Sequence, residues 1–228
     1  PLSPMAVQLL AQQGHSIQLE SGCGEKANFT DLDYSAAGGE ILEKKELIYQ
    51  NDIILKIAPP TSEEIDFMKS NQVLISALQM VRTKETMMKQ LISKNITAIG
   101  YELLRDDEGS LPIMRCMSEI AGRSSVLIAA EYLSNFNAGK GELFGGIPGI
   151  QPTKVVIIGA GAVGEYAAQA AIGLGASVKI FDNNINKLRR IERNLGSRIC
   201  SSTIIPKTLA KSISECDVAI GALRSPLG

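Results

Sequence analysis

At 228 residues, with 45% apolar and 21% charged side chains, the chain is long enough for two modest domains with their own cores and too apolar to be disordered. A formal net charge of −1 gives no electrostatic reason to expect a nucleic acid or an anionic membrane as partner, and no apolar run reaches the roughly 18 residues of a bilayer span. The four cysteines (Cys23, Cys116, Cys200, Cys216) are scattered without a Cys-x-x-Cys pair, which argues against a zinc site or a disulfide framework and for reduced thiols in a cytoplasmic protein.

Residues 5–13 read as a short helix stopped at Gly14, and residues 16–20 alternate as a strand. Residues 30–37 read as a helix with Thr30 as N-cap and the Gly38-Gly39 pair as its stop. A buried-type strand over 52–57 ends at Pro59-Pro60, and the helix opening at Ser62 carries acids in its first turn, where the dipole favours them. A strand over 73–78, a helix over 83–94 and a strand over 97–101 continue the β-then-α alternation, which argues for a parallel sheet with helices on its faces. A turn-rich break at 106–112 precedes a longer helix that opens near Met117 and runs to about Leu133. Residues 135–152 are rich in Gly and Pro and read as a loop. The expected fold is α/β with two domains, an N-terminal α/β substrate domain over 1–115 and a Rossmann-type doubly wound domain over 116–228.

The second domain carries the most specific chemistry. Val155-Val-Ile-Ile-Gly159-Ala-Gly161-Ala-Val-Gly164 sets a Gly-x-Gly-x-x-Gly turn between an apolar β run and a helical run, and Ser177-Val-Lys-Ile-Phe-Asp182 ends a second β run on a carboxylate. Gly159 permits the tight turn, Gly161 lets backbone approach a pyrophosphate, and Gly164 lets the helix lie close to the sheet. Asp182 is placed to accept hydrogen bonds from a ribose diol. The pattern predicts a dinucleotide, and an unphosphorylated one: Asn183 after the acid is not basic, and Arg189 and Arg190 read as a solvated helix face. Four strands are found after residue 150, whereas a doubly wound domain commonly has about six, so a fragment cut after its fourth strand is expected.

Taken in order, Tyr101-Glu, Gly109-Ser-Leu-Pro, Met117-Ser-Glu-Ile-Ala-Gly-Arg123, Gly145-Gly-Ile-Pro-Gly149 and the Gly-rich turn resemble the alanine dehydrogenase family, which is related to the NAD-binding subunit of proton-translocating transhydrogenase. The resemblance implies NAD-dependent interconversion of L-alanine and water with pyruvate and ammonium, and therefore an amino-acid or 2-oxo-acid substrate. It also implies a homo-oligomer and an NAD site lined by Ser118, Gly159, Gly161, Val163, Gly164, Asp182, Lys187 and Leu223. The family's catalytic positions depart from the pattern. Its substrate-binding Arg falls before Pro1 and one Asp falls beyond Gly228, while its Lys and His positions are occupied by Ala58 and Gln79.

Lys56 and position 58 share a strand face roughly 7 Å apart, so Lys56 is the candidate replacement for the missing carboxylate-binding cation. Gln79 can donate a hydrogen bond to a carbonyl but cannot shuttle a proton near neutral pH, which leaves Glu102 as a candidate for that task. His15, the only histidine, reads as a turn or surface residue, and Cys116 as a small buried thiol. A second reading follows from Ala58 and Gln79: an NAD(H)-binding module with altered or lost alanine chemistry, serving as a sensor or a transhydrogenase-like subunit. A third is a related enzyme for a different 2-oxo acid.

Overall fold

The computed structural model describes residues 2–79, 85–196 and 199–223. The chain divides into two compact units, Pro1–Leu104 and Arg105–Gly228.

In the first unit, α1 (Pro4–Gln12) begins where the Ser3 hydroxyl accepts the Ala6 N–H and Pro4 occupies a position that needs no amide hydrogen. β1 (Gln18–Glu20) and β2 (Glu40–Leu42) pair in parallel, with α2 (Asp31–Ala36) between them in sequence. Thr30 caps α2 as expected, and its partner is Asp33, which bonds back to the Thr30 N–H to close a capping box. Val7, Leu19 and Tyr34 form the small core of this part.

α3 (Lys45–Ile48), β3 (Ile53–Leu55), α4 (Ser62–Phe67), β4 (Val73–Ser76), α5 (Glu85–Ser93) and β5 (Thr97–Gly100) follow, and the strands form an all-parallel sheet in the order β3-β4-β5. Ile54, Ile65, Leu74 and Leu91 are its buried centre. α4 has a capping box of Thr61 and Glu64 at its start. At its end the Lys94 ammonium donates to the carbonyls of Ile65, Asp66 and Met68, each at 2.7 Å. β2 and α3 have no counterpart among the predicted elements, being too short for a period of 2.0 or 3.6 to register. Part of the helix expected over 83–94 lies outside the described residues.

The second unit opens with α6 (Pro112–Leu133), which begins at Pro112 rather than near Met117 because proline's fixed φ suits a first helical position. β6 (Lys154–Ile158), α7 (Ala162–Gly173), β7 (Ser177–Phe181), α8 (Ile185–Leu195), β8 (Cys200–Ser202), α9 (Pro206–Ser214) and β9 (Val218–Gly221) complete it. The sheet is parallel throughout, in the order β8-β7-β6-β9. After β6 the chain steps outward to β7 and β8, then returns to place β9 on the other flank of β6, with Ile158 opposite both Phe181 and Gly221. That reversal puts a crevice at the carboxyl end of β6, where open α/β sheets bind ligands. Ile157, Ile180, Ile191 and Val126 are fully buried in the core beneath it. α6 lies against α7 at Gly122, where a Cβ would stand 2.5 Å from the Val163 carbonyl oxygen.

Candidate functional site

The turn leaving β6 is shaped by two glycines and left open by a third. Gly159 adopts φ +115°, in the region that disfavours side chains, and a Cβ there would stand 2.5 Å from the Ala222 carbonyl oxygen. A Cβ on Gly164 would stand only 1.9 Å from the Gly159 carbonyl oxygen, so α7 can fold back against the turn only with hydrogen at this position. Gly161 differs: no atom lies within 4 Å of where its Cβ would be, and it is the N-cap of α7 without a side-chain cap. Free space thus coincides with uncapped helix N–H groups and the positive end of a dipole, which is the chemistry a pyrophosphate requires.

Asp182 ends β7 with 7% of its surface exposed. Its Oδ2 accepts the Ala160 N–H at 2.7 Å and its Oδ1 accepts the Asn184 N–H at 2.7 Å, while the Lys187 ammonium stands 4.0 Å from Oδ2. One carboxylate therefore ties the tip of the Gly-rich turn to the start of α8. Each oxygen keeps acceptor capacity for a diol.

A cleft of about 760 Å³ runs over this surface, lined among others by Ser118, Gly161, Val163, Asp182, Lys187 and Leu223. Six of the eight expected cofactor residues are gathered there, and Gly159 and Gly164 build the turn beneath. The Ser118 hydroxyl donates to the Met114 carbonyl at 2.7 Å.

Arg190, read above as part of a solvated face, is not one. Its guanidinium donates to the Ala160 carbonyl at 3.1 Å and pairs with the Glu165 carboxylate at 3.1 Å, whose other oxygen accepts the Asn194 amide at 2.6 Å. The Ala160 residue is consequently held from both sides, its N–H by Asp182 and its C=O by Arg190. Arg190, Asn194 and Glu165 all border the cleft. The signal for this grouping was Arg190 and Asn194 one helical turn apart on a face that a basic-stretch reading treats as uniform. Cys116 is exposed rather than buried. His15 is exposed, in keeping with a surface histidine.

In the first unit, Lys56 follows β3, its N–H still bonded to the Ile75 carbonyl at 3.0 Å. Its ammonium is engaged by the Glu64 carboxylate, which also accepts the Thr61 N–H at 2.7 Å and has Lys45 at 3.5 Å. Burial raises the Glu64 carboxyl, but the Lys56 ammonium, the Thr61 N–H and the Tyr49 hydroxyl together overcome it and hold the group at about 2. Burial first, then the hydrogen bond to Glu64 and that carboxylate's charge, pushes the Tyr49 phenol well up.

A carboxyl held below its unfolded value of 4.5 contributes stability that is complete above that pH and is lost as pH falls toward 2. Urea titrations are expected to show about 2–3 kcal/mol less stability from this group at pH 2.5 than at pH 6, and Glu64→Gln is expected to remove most of that difference. Equal pH dependence in the variant would refute the assignment.

Gln79 lies beyond β4 with φ +47°, and its N–H donates to Glu102 at 2.8 Å; the same carboxylate accepts the Leu78 N–H at 3.2 Å. Glu102 thus fixes the loop that carries Gln79. The Tyr101 hydroxyl donates to the Ile57 carbonyl at 2.8 Å, so these residues all meet at the carboxyl edge of the β3-β4-β5 sheet. Among the described residues there is no group of three His, Cys, Asp or Glu that would hold a metal, and no helix long and apolar enough to cross a membrane.

Comparison with known proteins gives a consistent assignment. The model of the alanine dehydrogenase/PNT N-terminal domain matches residues 1–121, and that of the C-terminal domain of the same family matches residues 125–227. Alanine dehydrogenase from Mycolicibacterium smegmatis is 36% identical over 226 residues, covering 99% of this chain and 61% of its own length. That of Methanococcus maripaludis is 36% identical over 226 residues, with 60% of its own length covered. Among solved structures, an L-alanine dehydrogenase superposes with a TM-score of 0.88 at 37% identity, over 99% of this chain and 62% of the other. A transhydrogenase from Sinorhizobium meliloti, at 22% identity and a TM-score of 0.84, shares the fold. The chain spans about three-fifths of the length of the curated relatives it matches.

Proposed function

The chain belongs to the alanine dehydrogenase/PNT family, and on that footing we propose that it is part of a cytoplasmic, homo-oligomeric, NAD-dependent dehydrogenase that deaminates L-alanine oxidatively to pyruvate and ammonium. The observation that carries the NAD assignment is the meeting of open space at Gly161, an uncapped α7 N-terminus and the buried Asp182 carboxylate in one cleft. NAD, when bound, supplies the hydride acceptor. The residues of the second unit hold it: the N–H groups of the 159–164 turn face the pyrophosphate, and Asp182, with Lys187 beside it, takes the adenosine ribose. Val163, Ser118 and Leu223 wall the site.

The first unit is the substrate domain in this reading. Gln79, held by Glu102, donates a hydrogen bond to the substrate carbonyl or carboxylate. Lys56 supplies positive potential while paired with Glu64. The Gln79 amide cannot shuttle a proton near neutral pH, so proton transfer falls to another group of the whole protein.

Turnover of L-alanine with NAD by the full-length protein tests the reading, with light scattering on the same sample to read its assembly. Absence of turnover alongside retained NADH binding would favour the second reading, a coenzyme-binding module whose alanine chemistry has been lost, which Ala58 and Gln79 support. Under that reading the double substitution Ala58→Lys with Gln79→His is expected to create alanine turnover where the parent has none.

A further inference from the structure

Resting on the coenzyme reading above, we infer that Glu165 is a specificity-determining residue. By holding the Arg190 guanidinium at the Ala160 carbonyl, it keeps that cation away from the 2′ position of the adenosine ribose and so sets the preference for a 2′-hydroxyl over a 2′-phosphate.

Two cations stand close to Asp182. Lys187 is 4.0 Å from its Oδ2 and partly neutralised by it. Arg190 is one peptide unit away, because the residue whose N–H Asp182 accepts is the residue whose carbonyl Arg190 holds. A guanidinium in that place is chemically suited to a phosphate, being planar, permanently charged and able to bond two oxygens at once. One of its terminal nitrogens is instead committed, while its buried Nε has no hydrogen-bond partner. The same terminal nitrogen serves the Ala160 carbonyl and Glu165 Oε2, both at 3.1 Å.

Glu165 is itself gripped. Its Oε1 accepts the Asn194 amide at 2.6 Å, and its side chain is 18% exposed against 42% for Arg190. Arg190 and Asn194 are one turn apart on α8, so that helix presents a two-point grip to a carboxylate in the first turn of α7. Glu165 therefore favours the unphosphorylated ligand by withdrawing a cation that borders the cleft.

Glu165→Gln retains the acceptor for Asn194 and loses the charge. In fluorescence titrations of the full-length protein, the ratio of the Kd for NADPH to that for NADH is expected to fall about tenfold in this variant. In the double variant Glu165→Gln, Arg190→Gln the ratio is expected to return to within about twofold of the parent's. An unchanged ratio in the single variant with NADH still bound overturns the inference. So does a double variant as permissive as the single one, because the effect would then be removal of charge without Arg190. If Glu165→Gln fails to fold, Asn194→Ala, which removes only the amide grip, is expected to lower the ratio about two- to threefold, and no change there overturns it. A parent that binds neither NADH nor NADPH overturns the coenzyme reading and this inference together.

Discussion

Gly164→Ala is expected to weaken NADH binding by ~100-fold or more and to destabilise the second unit by about 1–3 kcal/mol. The added methyl would stand 1.9 Å from the Gly159 carbonyl oxygen and 3.4 Å from the Ile157 side chain. The closer neighbour is main chain and cannot rotate away. Relief has to come from moving α7 off the turn, which takes the N–H groups at Gly161 out of line with a phosphate. The control is Gly161→Ala, where no atom lies within 4 Å of the new methyl. That variant is expected to keep the stability of the parent and still lose affinity, because the methyl occupies the space the pyrophosphate needs. Thermal unfolding and fluorescence titration of both variants read the difference. A Gly161→Ala protein with parental affinity would mean the phosphate lies elsewhere.

Asp182→Ala is expected to raise the Kd for NADH by about 100-fold, since it removes a doubly accepting carboxylate from the ribose and strands the Ala160 and Asn184 N–H groups. A stranded buried donor costs about 1–3 kcal/mol, so a lower melting temperature accompanies the affinity loss. NADPH is expected to lose far less, because the carboxylate that repels its extra phosphate is gone. Parental NADH affinity in Asp182→Ala would refute the ribose role outright.

The Gly-rich turn and its partner acid were legible because each answers a backbone requirement that few residues meet: positive φ at Gly159, absent Cβ at Gly164, and a strand-end carboxylate at Asp182. Of the four parallel strands around them, β6, β7 and β9 were legible for a similar reason, being apolar runs bounded by turn residues. Arg190 and Glu165 were not legible. Their pairing joins residues on separate helices, and periodicity on either helix reports only that the side chains are polar. Lys56 shows the same limit in the first unit. Strand alternation gave the face it shares with position 58, but its partner Glu64 is set by a capping box at the start of α4. Cys116 was misjudged because a thiol's average burial says nothing about which face of α6 it occupies.

The contact at Gly122 has a mechanical consequence. With no side chain between it and the Val163 carbonyl, and with the Tyr166 hydroxyl bonded to Glu119 at 2.6 Å one turn away, α6 and α7 mesh as two toothed rods. A displacement of the turn's first residues cannot be absorbed at the mesh point. It is passed along α6 from Gly122 toward Leu133, an arm of about 16 Å that leads away from the cleft-lining residues Met114 and Ser118.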